Sequence, residues 1–294
     1  MKTPLIASPA RTQAIINRYR LPIKKSLGQN FLTDINILEH IVQAADLTEK
    51  DNVIEIGPGI GALTEFLAQS AHQVMAFEID DQLIPVLDDT LSPYENVTIV
   101  NQDILKANLP QLIKDNFDAD RPLKLVANLP YYITTPILLS VLQSSMHFDN
   151  ITVMMQKEVA DRLVAVPGTK AYGSLSIAVQ YRSIPEVAFT VPRTAFIPQP
   201  NVDSAIITMT DRADFDPAPF DEKVFFKFVK GCFMHRRKSF WNNLLSIFGK
   251  DADVKVQLTD VLEKVHVSPQ IRSEKLPIET FIMLTNTLHD EGLL

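Results

Sequence analysis

Apolar residues recur at helical spacing through Ile37, Leu38, Ile41, Val42 and Ala45. This predicts an amphipathic helix over Thr33–Ala45, capped by Thr33 or Asp34. After the polar turn Thr48–Asn52 the period changes. Val53–Ile56 is a short apolar run that ends in Gly57-Pro58-Gly59-Ile60-Gly61, and helical positions resume at Leu63, Phe66 and Leu67. The alternation continues with predicted strands at Gln73–Ile79, Val97–Val100, Leu123–Ala127 and Ile151–Met155. Helices are predicted at Asp81–Leu91, with Pro85 in its first turn, and around Pro136–Leu142. Short β-branched strands alternating with longer helices predict a mostly parallel sheet with helices on both faces.

The pattern breaks after about residue 182. Val187–Val191 and Ala205–Thr210 read as strands with too little chain between them for a parallel crossover, so an antiparallel pair is expected. Arg212–Phe220, rich in Asp and Pro, reads as a linker. Helical spacing follows through Val224, Phe225, Phe228 and Val229, then Trp241, Leu244, Leu245 and Phe248, then Leu258, Val261, Leu262 and Val265. Pro277 fits the first turn of a last helix. The expected organisation is a basic extension over 1–23, an α/β domain over 24–211 and a small helical domain over 212–294.

Composition narrows the class. With 294 residues the chain can bury an ample core, and its single cysteine, Cys232, excludes an internal disulfide scaffold or thiolate cluster. The six histidines, His40, His72, His147, His235, His266 and His289, lie too far apart for a local zinc motif, so no metal is expected. No run approaches 18 apolar residues and the N-terminus lacks a signal-peptide core, so a cytoplasmic protein without a membrane partner is expected. The net charge of -7 argues against nucleic acid until it is mapped. Residues 1–33 carry Lys2, Arg11, Arg18, Arg20, Lys24 and Lys25 and no acid, and residues 223–240 carry Lys223, Lys227, Lys230, Arg236, Arg237 and Lys238 and no acid. Residues 49–120 hold fourteen acids against three lysines. A phosphate backbone responds to the local field, so this polarity keeps an RNA partner open.

The glycine loop sits between a strand and its helix, where glycines let backbone N–H groups approach a ligand closely. Glu78 ends the second strand 17 residues beyond Gly61, where a carboxylate can accept both ribose hydroxyls of a nucleoside. The loop reads G-x-G-x-G with Pro58 inside it, unlike the dinucleotide fingerprint, so a nucleoside with an uncharged linker suits it better than a pyrophosphate. Asp103, ending the third strand, can accept the N6 hydrogens of that nucleoside's adenine. Asn128-Leu129-Pro130-Tyr131-Tyr132 follows the fourth strand, where open α/β sheets keep their chemistry. The Asn128 side-chain oxygen and the Leu129 or Pro130 carbonyl make two convergent acceptors. Together they can hold both hydrogens of an exocyclic amine, favouring the pyramidal nitrogen that attacks an electrophilic methyl group. Tyr131 can stack on a flipped base. The plainer readings are a tight turn for the glycines and a helix cap for Asn128.

These segments, together with Lys25-Ser26-Leu27-Gly28-Gln29-Asn30-Phe31-Leu32, Gln156-Lys157-Glu158, Phe196-Ile197-Pro198-Gln199-Pro200-Asn201-Val202-Asp203-Ser204 and His235-Arg236-Arg237-Lys238, occur in a specific order. In it the chain resembles the S-adenosylmethionine-dependent ribosomal RNA adenine dimethyltransferases of the KsgA type, from about Lys24 to Leu284. The resemblance implies a class I, Rossmann-like methyltransferase sheet with an antiparallel terminal strand, followed by a small all-helical C-terminal domain. It implies that Gln29 and Asn30, with Leu32, close over the cofactor's methionine end, and that Gly57, Gly59 and Gly61 line it. Glu78, with Ile79 beside it, would hold the ribose, and Asp103 and Ile104 would contact the adenine. Glu55, counted with the cofactor-binding residues, reads as a brace for the loop or the N-terminal segment rather than as an acid. Asn128 would contact cofactor and target amine with Leu129 and Pro130, and Tyr131 and Phe196 would sandwich the target adenine. Lys24, Lys25, Lys230, Arg236, Arg237 and Lys238 would contact RNA.

The implied reaction puts two methyl groups on N6 of each of two adjacent adenines in the 3′-terminal hairpin loop of 16S ribosomal RNA, within a 30S precursor, with no obligate protein partner and a role in small-subunit biogenesis. Alternatives are a large-subunit adenine, an assembly factor in which methylation is secondary, and, at the level of the fold, a nicotinamide-dependent oxidoreductase. Two features depart from the family pattern. About 20 residues precede Lys24, so Leu5–Arg20 is either a basic helix lying on RNA or a frayed arm. His235 stands where a Gln is common, which makes that contact slightly pH-dependent.

Overall fold

A computed structural model describes residues 4–22, 29–144 and 146–294. Its first elements are α1 (Pro9–Tyr19), β1 (Phe31–Leu32), α2 (Ile35–Ala44), β2 (Asn52–Ile56), α3 (Ala62–Ser70), β3 (Gln73–Glu78) and α4 (Ile84–Thr90). Next come β4 (Val97–Asn101), α5 (Leu109–Asn116), β5 (Leu123–Asn128), α6 (Thr134–Leu142), β6 (Asn150–Gln156), α7 (Lys157–Leu163) and α8 (Ser174–Gln180). The chain ends with β7 (Ser183–Val191), β8 (Phe196–Ile197), β9 (Ser204–Asp211), α9 (Glu222–Cys232), α10 (Phe240–Phe248), α11 (Ala252–Lys264) and α12 (Ile278–Asp290).

Seven strands form one sheet in the order β4-β3-β2-β5-β6-β9-β7. The ladders from β4 through β6 are parallel, and β9 runs antiparallel to β6. Strand order reverses at β2, so the crevice beyond the carboxyl ends of β2 and β5 is the place for a ligand. Those ends carry Ile56 and Asn128, with Glu78 and Asn101 paired beside them. The two late strands expected as a pair are hydrogen-bonded neighbours. Local chemistry trims the predicted helices. Asp34, not Thr33, caps α2 by accepting from the Asn36 and Ile37 N–H groups, while the Thr33 hydroxyl donates to the Ala195 carbonyl at 3.1 Å. Pro85 lacks an N–H, so α4 begins at Ile84 with the proline in its first turn rather than at Asp81.

The chain divides into two compact units, 1–160 with 185–211, and 161–184 with 212–294. The N-terminal segment is neither an arm nor a separate extension. Ile6, Ala7, Ile15 and Ile16 are buried in the core of the first unit, and the Ile6 N–H donates to Glu65 Oε2 at 2.7 Å. One of its cations is turned inward as well, Arg11 lying 3.8 Å from the buried Glu65 carboxylate, while Arg18 pairs with Asp89 at 3.1 Å on the surface. The second unit is larger than a boundary at 212 allows, because Tyr172, Ile177 and Tyr181 share one core with Phe225, Phe240, Leu258 and Phe281. The Tyr181 hydroxyl donates to Glu222 at 3.1 Å, and Gln180 reaches the Leu163 and Ala165 carbonyls. The linker 212–220 has no helix or strand, but Phe215 stacks on Tyr181.

Candidate active site

Gly57, Gly59 and Gly61 all have φ between 62° and 89°, a region that side chains avoid. A Cβ on Gly57 would lie 3.7 Å from the Pro130 ring and 3.9 Å from the Asn128 carbonyl, so the turn brings the glycine loop against the Asn128–Tyr131 segment. The cleft between them encloses about 1100 Å³ out to its open mouth, lined by Gln29, Asn30, Leu32, Glu55, Gly57, Gly59, Glu78, Ile79, Asp103, Ile104, Asn128, Leu129, Pro130 and Tyr131. Nearly every candidate cofactor and methyl-acceptor residue therefore meets in one place. Gly61 stands behind the wall as the N-cap of α3. Phe196 lies outside the cleft lining, 3% exposed, in the core of the first unit. It reaches that core through a two-residue ladder in which Phe31 pairs with Ile197 and Leu32 with Phe196.

Glu78 is buried at the end of β3. Its Oε1 accepts from the Asp80 N–H at 2.8 Å and its Oε2 from the Gly59 N–H at 3.4 Å. Burial raises its pKa above the ordinary carboxylate value, and these N–H groups oppose the rise. Lone pairs remain for two ribose hydroxyls, and half-exposed Ile79 next to it offers an apolar face to a purine. Asp103 Oδ1 accepts from the Leu105 N–H at 3.0 Å, with Lys106 3.8 Å from Oδ2. Glu55 is the unusual member. It is 1% exposed, its Oε2 has no hydrogen-bond partner among the described residues, and burial pushes its pKa up to about 8, with the Glu78 charge adding to the rise and the Thr64 hydroxyl opposing it. An orphaned polar atom in a ligand-sized cleft, under a cradle that only glycines can form, fits S-adenosylmethionine.

At the other end the structure separates the two candidate carbonyls. The Pro130 carbonyl already accepts from the Ile133 N–H at 3.1 Å and the Thr134 hydroxyl at 2.9 Å. Both its lone pairs are occupied, which makes Leu129 the better candidate of the two carbonyls beside Asn128. Asn128 does not cap α6, whose N-cap is Ile133 with no side-chain bond. Three cleft-lining residues, and Asp80 behind Gln29, were given no role from sequence. Phe31 would sit 3.4 Å from a Cβ on Gly59, Gln102 and Tyr132 line the cleft, and Asp80 accepts from Gln29 Nε2 at 2.9 Å. Phe31 and Tyr132 stand inside motifs that carry the resemblance, Phe31 next to Asn30 and Tyr132 as the second aromatic after Asn128.

Lys230, Arg236, Arg237 and Lys238 are exposed on the second unit. They are not equivalent. Arg236 Nη2 donates to the Lys170 carbonyl at 2.5 Å and the Tyr172 carbonyl at 3.2 Å, so part of its role is to hold that loop. Lys24 and Lys25 lie outside the described residues.

The family model for ribosomal RNA adenine dimethylase matches residues 20–289. A ribosomal RNA small subunit methyltransferase A of Levilactobacillus brevis is 65% identical over 99% of this chain and 98% of its own length. One from Lactiplantibacillus plantarum is 61% identical over 98% of each. Among solved structures, a dimethyladenosine transferase from Plasmodium falciparum is similar with TM-score 0.73 and 25% identity, covering 89% of this chain and 98% of that one. The 23S rRNA methyltransferase ErmE is similar with TM-score 0.65 and 26% identity, covering 88% and 100%.

Proposed function

Because the chain belongs to the ribosomal RNA adenine dimethylase family, we propose that its cleft presents a flipped adenine to the methyl group of S-adenosylmethionine through Asn128 and the Leu129 carbonyl. The enzyme is an S-adenosylmethionine-dependent rRNA adenine-N6,N6-dimethyltransferase acting on adjacent adenines of the 16S hairpin. The cofactor supplies an electrophilic methyl group on a sulfonium. Glu78 anchors the ribose, Asp103 and Ile104 the adenine, and the glycine backbone, Gln29 and Asn30 the methionine end. Asn128 Oδ1 and the Leu129 carbonyl each accept one N6 hydrogen, which draws the nitrogen lone pair out of the ring and turns it toward the methyl group. Neither acceptor is a base, and none is needed at attack, since the ammonium product is strongly acidic. Tyr131 carries the base by stacking.

Lys230, Arg236, Arg237, Lys238 and the two lysines at 24 and 25 take the phosphate backbone in this reading, with a partly assembled 30S particle in the cytoplasm as the substrate. The observation that carries the reading is the doubly occupied Pro130 carbonyl beside Asn128 and Leu129 in the cleft wall at the carboxyl end of β5, which favours Leu129 as the second acceptor. The small-subunit target is favoured over a large-subunit one by relatives at 54–65% identity that all bear a small-subunit name, against 26% for ErmE. Labelled S-adenosylmethionine incubated with undermethylated small subunits should yield N6,N6-dimethyladenosine in the 16S hairpin. Label confined to large-subunit RNA, or no dimethylated nucleoside, would overturn it.

A further inference from the structure

β9 opens with Ser204, which is fully buried and pairs with Gln156 of β6. A hydroxyl so placed needs a hydrogen-bond partner, and it has one in the Tyr131 hydroxyl, 2.5 Å away. The neighbouring backbone is fixed on both sides. The Asp203 carboxylate accepts from the Arg193 N–H at 2.9 Å, and its carbonyl accepts from the Lys157 N–H at 3.0 Å. Tyr131, by contrast, sits in a turn between β5 and α6, part-buried on the cleft wall, where no ladder fixes the direction in which its ring points.

Resting on the reading that Tyr131 carries the target base, we propose that Ser204 is a positioning residue: its hydroxyl tethers the far end of the Tyr131 ring to the rigid sheet and so sets the tilt at which the adenine N6 meets Asn128 and Leu129. An aromatic side chain has two torsions. The hydroxyl lies on the axis of the second torsion, so a bond there leaves the turn of the ring about that axis to packing. It fixes where the axis itself points, the swing of the first torsion, without covering the ring face. The tether is in place before RNA arrives, so no ordering cost falls on the reaction itself. β9 thereby contributes to methyl transfer through a residue that does not line the cleft.

A double-mutant cycle in single turnover on undermethylated small subunits tests this. Ser204→Ala should lower the methylation rate about tenfold, the scale of one lost hydrogen bond, with S-adenosylmethionine Kd and RNA affinity near wild type. Tyr131→Phe, which keeps the ring and removes the bond from the other side, should give a similar loss. Ser204→Ala in the Tyr131→Phe background should then add nothing, and Ser204→Thr, which restores a hydroxyl, should recover much of the rate. Equal, additive losses in both backgrounds would overturn the proposal, as would a rate loss in Ser204→Ala matched by the same loss in cofactor affinity. Tyr131→Ala separates the two levels. If it methylates normally, the base-carrying role of Tyr131 fails. If it is inactive while Ser204→Ala is unaffected, only the tether fails.

Discussion

At Asn128 the decisive quantity is when its amide oxygen is needed. In the proposed reading its acceptor strength matters most as N6 pyramidalises and gains positive charge, so its loss would belong in the chemical step rather than in binding. Asn128→Ala should lower the single-turnover rate by ~100-fold or more, taking a preorganised polar contact at roughly 3 kcal/mol, and leave cofactor Kd and thermal midpoint nearly unchanged. A stable variant within threefold of wild type would end the assignment. Glu78→Ala should weaken S-adenosylmethionine binding by ~10-fold or more, the scale of a charged hydrogen bond, as read by calorimetry. Glu55 yields a pH prediction. Its folded pKa of about 8 lies above the ordinary 4.5, so the folded state holds a proton that the unfolded chain has released. That contribution to stability is complete below 4.5 and fades as pH rises through about 8. The thermal midpoint of wild type should therefore fall more steeply over this range than that of Glu55→Gln, which cannot ionise; parallel curves would refute the neutral carboxyl.

Among the elements, α1 and the segment before it allow a direct test. They bury Ile6, Ile15 and Ile16 and supply the N–H and guanidinium that face Glu65. A chain beginning at Pro22 should lose at least about 5 °C of thermal midpoint, at roughly 2–4 °C per kcal/mol for a domain of this size, with Glu65→Gln losing less. An unchanged midpoint would mean that the segment is an ornament on the fold. Here sequence and structure part company for a physical reason. The central strands β2, β3, β5 and β6 were legible because a buried parallel sheet forces continuous apolar runs, and the glycine loop and Asn128 motif were legible because backbone turns and paired acceptors admit few residue types. The docking of α1 and the membership of α8 in the second unit were not. Periodicity marks a helix's apolar face but not the core that receives it. The distinction between the Leu129 and Pro130 carbonyls was likewise out of reach, because it depends on where Thr134 folds back.

For the whole molecule, a net charge of -7 coexists with an exposed basic cluster on the second unit. Reversing Arg237 and Lys238 should weaken RNA binding and reduce its salt slope by roughly one unit for each phosphate no longer neutralised, without moving the thermal midpoint. Arg236→Glu should do both, since its guanidinium also holds the Lys170 and Tyr172 carbonyls. An unaltered salt slope in the first variant would remove the cluster from the RNA interface. The occupied Pro130 carbonyl carries a consequence for the reaction cycle. With the two acceptors proposed at the amine, an unmodified adenine would fill both, a monomethylated one would fill one, and a dimethylated one would fill neither and set methyl groups against oxygens that have lost their donors. If the amine is held as proposed, the grip loosens one step with each transfer and turns to repulsion when the work is done, so the site itself would count methyl groups and let go at two.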